Sequence, residues 1–218
     1  MTIQQLFERI DSEIAPFRWA ESWDNAGLLA GDPGREAAAA LVCLDITPET
    51  ISEAIGCGAN VLVSHHPVIF HPLRRLTADK AAVRLVREDL GAICAHTNLD
   101  VADGGVNDAL ARALGLTDLE GLEPASEGQS LGRIGTLPAP LLPDDFAAYV
   151  EERLRPAGGV RYTAGREAVR RVAVCGGAGG SLASLAEEKG AQALITGEVK
   201  HDVYVDCAAK GFTVLDAG

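Results

Sequence analysis

The segment VLVSHHPVIFHP, from Val61 to Pro72, joins a buried strand to a group of imidazoles. Its apolar beginning is typical of a strand inside a sheet, and two adjacent histidines, His65 and His66, follow at once. The proline that comes next stops regular structure. In parallel α/β sheets, ligands bind outside the carboxyl ends of the strands. The position of the two histidines therefore predicts that this strand ends at a binding site.

Strands and helices alternate on both sides of this segment. Apolar runs predict strands, and between them lie segments with helical spacing and end signals, such as the Thr47-Pro48 start and the Gly58 stop. Strands that are separated by single helices favour a parallel sheet covered on both faces. The predicted strands are at 40–46, 59–64 and 92–95, and the helices between them are at 47–58 and 78–91.

A second α/β unit is predicted in the remaining sequence. The segment 117–130 is acidic, lacks periodicity and is interpreted as a linker, which places one domain at 1–125 and another at 126–218. The two halves resemble each other, because Gly58-Ala59 and the strand after it align with Gly190-Ala191 and the strand that follows. The expected fold is two similar three-layer α/β/α domains with largely parallel sheets.

Composition limits the classes of function. The formal net charge is −12, which disfavours bulk binding to nucleic-acid phosphates. No apolar run approaches the ~20 residues that a membrane span requires, and the N-terminus does not resemble a secretory signal. The five cysteines form no CxxC pair, as expected of reduced thiols. A cytoplasmic protein without membrane contact is therefore expected.

Polar residues at the predicted strand ends form a candidate metal site. Imidazoles with a carboxylate suit zinc, iron, manganese or cobalt. Adjacent histidines on extended backbone diverge, which favours two ions over one, and two ions ~3.5–4 Å apart form a strong hydrolytic site. Alternatively, the histidines only cap the strand and bond to loops. Besides His65 and His66, the residues expected at this edge of the sheet are Asp45, His96, Asn98 and Asp100.

Other segments carry weaker signals. Asp24 and Asn25, in the loop SWDNAG, are pocket candidates, but Asp24 also suits a loop-stabilising turn. Glu198 lies at a strand end in the second unit, where it either approaches the site or caps the following helix. The glycine-rich CGGAGGS at 175–181 occupies the place of a phosphate loop, although it matches no phosphate-loop motif and also suits a tight turn.

Taken together, these motifs resemble the Nif-three-like family, whose members are also called GTP cyclohydrolase I type 2 homologues. The resemblance spans nearly the whole chain in the family's order, and the chain resembles the short form without an inserted domain. It implies a ring-shaped homo-oligomer, a hexamer, with a dinuclear centre in the cleft between the domains. The matching segments are SWDNAGLLAGD at 22–32, LDITPETISEAI at 44–55, GANVLVSHHPVIF at 58–70, AHTNLDVADGGVND at 95–108, and ALITGEVKHD with GFTVLDAG within 193–218.

The resemblance also implies roles for individual residues. His65 and Asp100 are expected to bind one metal and His66 the other. The resemblance assigns no role to His96, which either contributes to an ion or, as we expect, orients Asp100 or a water. No side chain is assigned a catalytic role beyond that of a metal-bound water. The family completes its site with a histidine and a glutamate, spaced H-x-x-x-E, directly after DAG, where this sequence ends at Gly218. The second domain is therefore expected to be cut short, and the two divalent ions incompletely held.

Two classes of function are compatible with these expectations. The first is a metal-dependent hydrolase that acts on a small molecule, either a nucleotide such as GTP or another phosphoester. The alternative is a metal-binding regulatory or interaction protein without catalytic activity. The sequence contains no motif that reads guanine, so it does not identify the substrate.

Overall fold

The computed structural model describes residues 1–218 and has an α/β fold with two sheets. The chain forms two compact units, Met1–Ala102 and Asp103–Gly218. None of its helices has the length and hydrophobicity required to span a bilayer. The predicted α/β class is thus confirmed.

The first unit is built on a four-stranded sheet in the order β1-β4-β3-β2. Strands β2, β3 and β4 are parallel, and β1 pairs with β4 in the antiparallel direction. The elements are α1 (Ile3–Glu13), β1 (Gly27–Ala30), β2 (Ala40–Cys43), α2 (Pro48–Cys57), β3 (Val61–Ser64), α3 (Ala81–Arg87), β4 (Gly91–Cys94) and α4 (Thr97–Val101).

Local signals set the entry into the strand that ends on the two histidines. Helix α2 starts where Thr47 caps it, with the Thr50 side chain bonding back to the Thr47 backbone, and Pro48 is its first residue. It ends at Gly58, whose φ of +77° suits a residue without a Cβ atom. The chain then turns directly into β3, which is buried in the middle of the sheet.

The second unit contains a six-stranded sheet in the order β5-β6-β8-β9-β10-β7. Parallel pairing is confined to β8, β9 and β10, and the remaining pairs are antiparallel. The elements are α5 (Val106–Ala113), β5 (Thr117–Pro124), β6 (Ser130–Leu141), α6 (Pro143–Leu154), β7 (Arg161–Thr163), β8 (Val169–Cys175), α7 (Ala183–Glu188), β9 (Ala193–Thr196), α8 (His201–Lys210) and β10 (Thr213–Asp216).

The two units repeat one topology, as the aligned glycine-alanine pairs predict. In the first unit the order α1-β1-β2-α2-β3-α3-β4 gives three parallel strands and an antiparallel strand beside the last of them. In the second unit α6-β7-β8-α7-β9-α8-β10 gives the same arrangement. Gly58 and Gly190, with φ of +77° and +79°, both lie between a helix and the central strand of their sheet. The hairpin of β5 and β6 is an addition to the second sheet.

The predicted linker is wrong. Residues Thr117–Pro124 form β5, which pairs with β6, and the compact units divide after Ala102 rather than after residue 125. An edge strand explains the mistake, because within β5 only Leu122 is buried, and the exposed positions include the acidic Asp118 and Glu120. The predicted exit loop after β4 is also different, since Thr97–Val101 forms the short helix α4.

The β3 strand provides a test of which contacts stabilise the first unit. Leu62 is fully buried in the cluster beneath α2 and α3, whereas Val42, on the neighbouring edge strand, is 80% exposed. We expect Leu62→Ala to lower the free energy of unfolding by about 2–5 kcal/mol, because it removes buried methyl groups and leaves a cavity. Val42→Ala is the control and should cost less than about 1 kcal/mol. Urea unfolding followed by circular dichroism measures both values, and equal losses would contradict this assignment of the core.

Candidate metal centre

Three histidines meet at the carboxyl ends of β3 and β4. His65 and His66 directly follow β3, and His96 lies two residues beyond β4. Their ligand nitrogens all lie within 4.8 Å of one another. The ring centres are 5.0 Å apart for His65 and His66, 5.3 Å for His65 and His96, and 5.9 Å for His66 and His96. The two adjacent side chains therefore converge rather than diverge, because the backbone leaves the extended conformation as soon as β3 ends.

Each imidazole is held through its Nδ1 atom by an oxygen acceptor. His65 Nδ1 lies 3.0 Å from the carbonyl oxygen of Ala95, and His66 Nδ1 lies 2.8 Å from Oδ1 of Asp45. His96 Nδ1 lies 2.8 Å from Oδ1 of Asp24. A carbonyl or an ionised carboxylate can only accept, so Nδ1 is the protonated nitrogen of each neutral ring. The lone pairs of the three Nε2 atoms remain available.

This donor set fits a divalent metal ion. A ligating histidine usually donates its second ring N–H to a carboxylate or a carbonyl, which fixes the tautomer and makes the other nitrogen more basic. Two nitrogens that share one tetrahedral zinc lie about 3.3 Å apart, given a metal–nitrogen bond of about 2.0–2.1 Å. The spacing of the cluster, within 4.8 Å, suits one ion after small side-chain shifts or two neighbouring ions.

Asp100 adds a carboxylate to the same edge of the sheet. It belongs to α4, and its Oδ1 lies 3.7 Å from Nε2 of His65. Burial raises the pKa of Asp100, and the nearby His65 and His96 partly offset that effect. The structure thus brings His65, His66 and Asp100 together, as their positions after two neighbouring strands predict.

Asp24 organises the loop beneath His96. Its side chain has no exposed surface, and its Oδ2 accepts hydrogen bonds from the backbone N–H of Thr97, at 3.1 Å, and from the Thr97 hydroxyl, at 2.5 Å. Burial alone would raise the pKa of Asp24, but the hydrogen bonds from His96 and Thr97 outweigh it and hold the pKa at about 2. The same contact raises the pKa of His96. Asp24 thus supports the site as a permanent carboxylate.

Two asparagines hold the surrounding loops. Asn25 donates from Nδ2 to the carbonyl oxygen of Ile69, at 2.5 Å, and thereby joins its own loop to the one after His66. Asn98 is fully buried, donates to the carbonyl of Ala15 and accepts from the backbone N–H of His96. Both residues shape the backbone around the site, and Asn98 has no surface that a ligand could reach.

The two remaining predicted pocket residues, Asp45 and Glu198, belong to different units of the chain. Asp45 follows β2 and contacts the site through His66, with about half of its side chain exposed. Glu198 belongs to the second unit, where it follows β9 and precedes α8. Its predicted part in the site stays a prediction.

A thiol lies directly behind His65. Cys94, the last residue of β4, is fully buried, and its Sγ lies 3.0 Å from the carbonyl oxygen of His65. Burial raises the pKa of Cys94 to about 12. The group therefore stays a protonated thiol that donates to the backbone.

The glycine-rich segment 175–181 is a closed turn. The N–H of Gly179 donates to Oγ1 of Thr196, and the N–H of Gly176 donates to Oδ1 of Asn107. The carbonyl of Gly177 accepts from the N–H of Gly197. These amides are used within the second unit, which favours the tight-turn interpretation over a phosphate loop.

The sequence places His96 at the candidate site, with a supporting role preferred, but it does not single out two aromatic side chains near it. The ring of Trp23 lies 6.5 Å from that of His96, and the ring of Phe70 lies 6.3 Å from it. Both aromatic residues belong to segments that carry the family resemblance, but only the fold brings SWDN and HHPVIF side by side.

Comparison with known proteins identifies the family. Residues 1–218 match the family model described as Duf34/NIF3 (NGG1p interacting factor 3). The chain belongs to the Duf34/NIF3 family. A family relative in Streptomyces coelicolor, named GTP cyclohydrolase 1 type 2 homolog, is 38% identical over an alignment of 213 residues that covers 93% of this chain and 75% of that protein. A protein of the same name in Lactococcus lactis is 34% identical, over 94% of this chain and 81% of that protein.

Solved structures of Duf34/NIF3 relatives have the same fold. A hypothetical protein of Staphylococcus aureus superposes with a TM-score of 0.94 at 30% identity, covering 100% of this chain and 86% of that one. A Bacillus cereus protein related to NIF3 gives a TM-score of 0.90 at 26% identity, with coverage of 100% and 88%. The resemblance carried by the sequence motifs is therefore confirmed at the level of family and fold.

The buried carboxylate beneath His96 generates a stability prediction. We expect Asp24→Asn to lower the free energy of unfolding by about 1–3 kcal/mol, because an amide cannot accept from His96 and Thr97 together without turning its NH₂ toward a donor. Asp45→Asn is the matched control. It changes a half-exposed partner of His66 and should cost at most about 1 kcal/mol. Urea unfolding at pH 7 measures both, and an Asp24→Asn protein as stable as the wild type would refute the network.

Proposed function

We propose that this protein is a metal-dependent hydrolase with a dinuclear centre at the carboxyl ends of β3 and β4, acting on a nucleotide or another phosphoester. The observation that carries the proposal is the set of three histidines whose Nδ1 atoms are all engaged and whose ligand nitrogens lie within 4.8 Å of one another. Zinc, iron, manganese and cobalt all accept such nitrogen and oxygen donors.

We assign the ligands from the contacts at this edge of the sheet. His65 and Asp100, 3.7 Å apart, would hold one ion, and His66 would hold the second. His96 is close enough to both neighbours to serve either ion, and its hydrogen bond to Asp24 is of the kind that ligating histidines make. When bound, such ions supply Lewis acidity toward a water and a substrate oxygen.

The remaining residues would prepare these ligands for their task. The Ala95 carbonyl, Asp45 and Asp24 keep the three rings in the tautomer that presents Nε2. Burial raises the pKa of Asp100, and a bound cation would favour its carboxylate form, because metal ligands bind deprotonated. The nearby Cys94 is not assigned as a nucleophile, since its thiol stays protonated and donates to the backbone.

The names of the relatives support the reaction class. Both the Streptomyces coelicolor and the Lactococcus lactis proteins are named GTP cyclohydrolase 1 type 2 homolog, and that name contains a nucleotide. A nucleotide is therefore the substrate class that we place first, ahead of a simple phosphoester.

Metal retention tests the ligand set. After loading with zinc and gel filtration, we expect the wild type to retain zinc in part, because the ions are expected to be incompletely held, and His65→Ala to lose most of what the wild type retains. His66→Ala should lose one ion preferentially. His71→Ala is the control, because His71 is exposed and outside the cluster. Elemental analysis per chain measures the result, and a His65→Ala protein that retains as much zinc as the wild type would refute the centre.

Turnover tests the hydrolase itself. The metal-loaded protein should release product from GTP or from bis(p-nitrophenyl) phosphate. EDTA should abolish this activity, and added zinc or manganese should restore it. We expect His65→Ala to reduce the rate by about 100-fold or more, because it removes a ligand rather than a supporting contact. Product formation by His65→Ala at the wild-type rate would show that a contaminant is responsible.

A second candidate function rests on the family description, which names an NGG1p interacting factor. In this alternative the metal centre has a regulatory or structural role, and the protein acts as a ring-shaped homo-oligomer of six copies with a macromolecular partner. Tight metal binding without turnover of either probe, together with a hexamer in analytical ultracentrifugation, would favour it over the hydrolase.

A further inference from the structure

Two large aromatic side chains lie exposed beside the histidine cluster. Trp23 is 60% exposed and Phe70 is 42% exposed, although residues of this size usually bury most of their surface. Their ring centres are 6.1 Å apart at an interplanar angle of 66°, and both rings meet His96 nearly edge to face. They form an open aromatic corner, which we call the Trp23–Phe70 corner.

The corner is held by the same contacts that build the metal site. Trp23 occupies a turn closed by a hydrogen bond from the Asp24 N–H to the carbonyl of Glu21, at 2.9 Å. That turn is tied to Thr97, whose hydroxyl accepts from the Glu21 N–H and donates to Asp24.

Phe70 is fixed from the other side. Asn25, the residue after Asp24, donates to the carbonyl of Ile69 and so holds the backbone next to Phe70. The tetrapeptide SWDN thus supplies one exposed ring, the buried carboxylate under His96 and the anchor of the second ring. The fold therefore holds the two rings at the surface, because hydrogen bonds anchor the backbone on each side of the corner.

We propose that the Trp23–Phe70 corner stacks on the nucleobase of a nucleotide ligand whose phosphate-bearing side meets the histidine cluster. This inference rests on the proposed function and narrows its substrate class to ligands with a planar heterocycle. Aromatic side chains stack on the π-faces of bases largely independently of which base is present. Replacing such a side chain with alanine substantially weakens binding.

The charges around the site favour an apolar contribution of this kind. The chain carries a net charge of −12, and neither 19–34 nor 36–73 contains a lysine or an arginine. These segments offer a nucleotide no cationic side chain with which to draw in its phosphates. A stacking surface next to the metal ligands supplies affinity and orientation through the other end of the molecule.

The two tryptophans of the chain allow a direct measurement. Trp19→Phe leaves Trp23 as the single indole, and Trp23→Phe leaves Trp19, which lies in another turn with Arg18 over its ring. Titration with guanosine 5′-monophosphate should quench the fluorescence of the Trp19→Phe protein, both with and without zinc. The Trp23→Phe protein should show no saturable quenching, because its remaining indole is outside the corner.

Calorimetry distinguishes the contribution of the base to binding from that of the phosphate. The zinc-loaded wild type should bind guanosine 5′-monophosphate more tightly than ribose 5-phosphate. Trp23→Ala should lower the affinity for guanosine 5′-monophosphate by roughly 5- to 150-fold and leave the affinity for ribose 5-phosphate unchanged. Phe70→Leu should lower the affinity for the nucleotide in the same way, and Trp19→Phe should leave it unchanged.

Equal affinity of the wild type for the two ligands, unquenched Trp23, or a Trp23→Ala protein with wild-type nucleotide affinity would each overturn the proposal. A change in sedimentation on Trp23→Ala without a change in nucleotide affinity would also overturn it, since the corner would then be a contact between copies. Failure of the proposed function would give a different result. The wild type would then retain no zinc in elemental analysis, while the ligand would still quench the fluorescence of Trp23.

Discussion

The carboxylate of Asp24 has no access to water, and its charge is balanced by hydrogen bonds from a ring N–H, a backbone N–H and a hydroxyl. These donors belong to His96 and Thr97, which follow β4, whereas Asp24 belongs to the loop before β1. A buried charge with fixed donors tolerates little displacement, because each lost bond leaves an unpaired group in an apolar setting. The position of one imidazole, one turn and one exposed indole therefore depends on a single side chain.

Much of this arrangement is predictable from sequence, because strand ends in a parallel sheet converge. The apolar run that stops at His65 indicates where β3 ends, whereas the strand predicted at 40–46 extends past the end of β2 at Cys43. The helix signals at Thr47 and Gly58 fix the direction of the chain. The repeated topology follows from short matching segments for the same reason. The strand β5 escapes prediction because its position at an edge removes the alternation that burial imposes.

The supporting contacts are not predictable in this way. The pairing of His96 with Asp24 joins residues 72 positions apart, and nothing in the composition of either segment indicates it. Whether two adjacent histidines diverge or converge depends on the backbone angles after the strand, which apolar periodicity does not determine. An exposed tryptophan likewise has no signature in a single sequence, because Trp23 differs from a core residue only in what the fold leaves uncovered.

The protonated thiol of Cys94 has a consequence for the donor atoms that this edge of the sheet can offer. Soft ions such as Cu(I) gain most of their affinity from thiolate ligands, and a thiol with a pKa of about 12 offers none at neutral pH. Its proton is also directed at the backbone carbonyl of His65. A sulfur atom thus lies behind His65 without presenting a thiolate at neutral pH, and the donor atoms of the histidine cluster and Asp100 are nitrogen and oxygen alone.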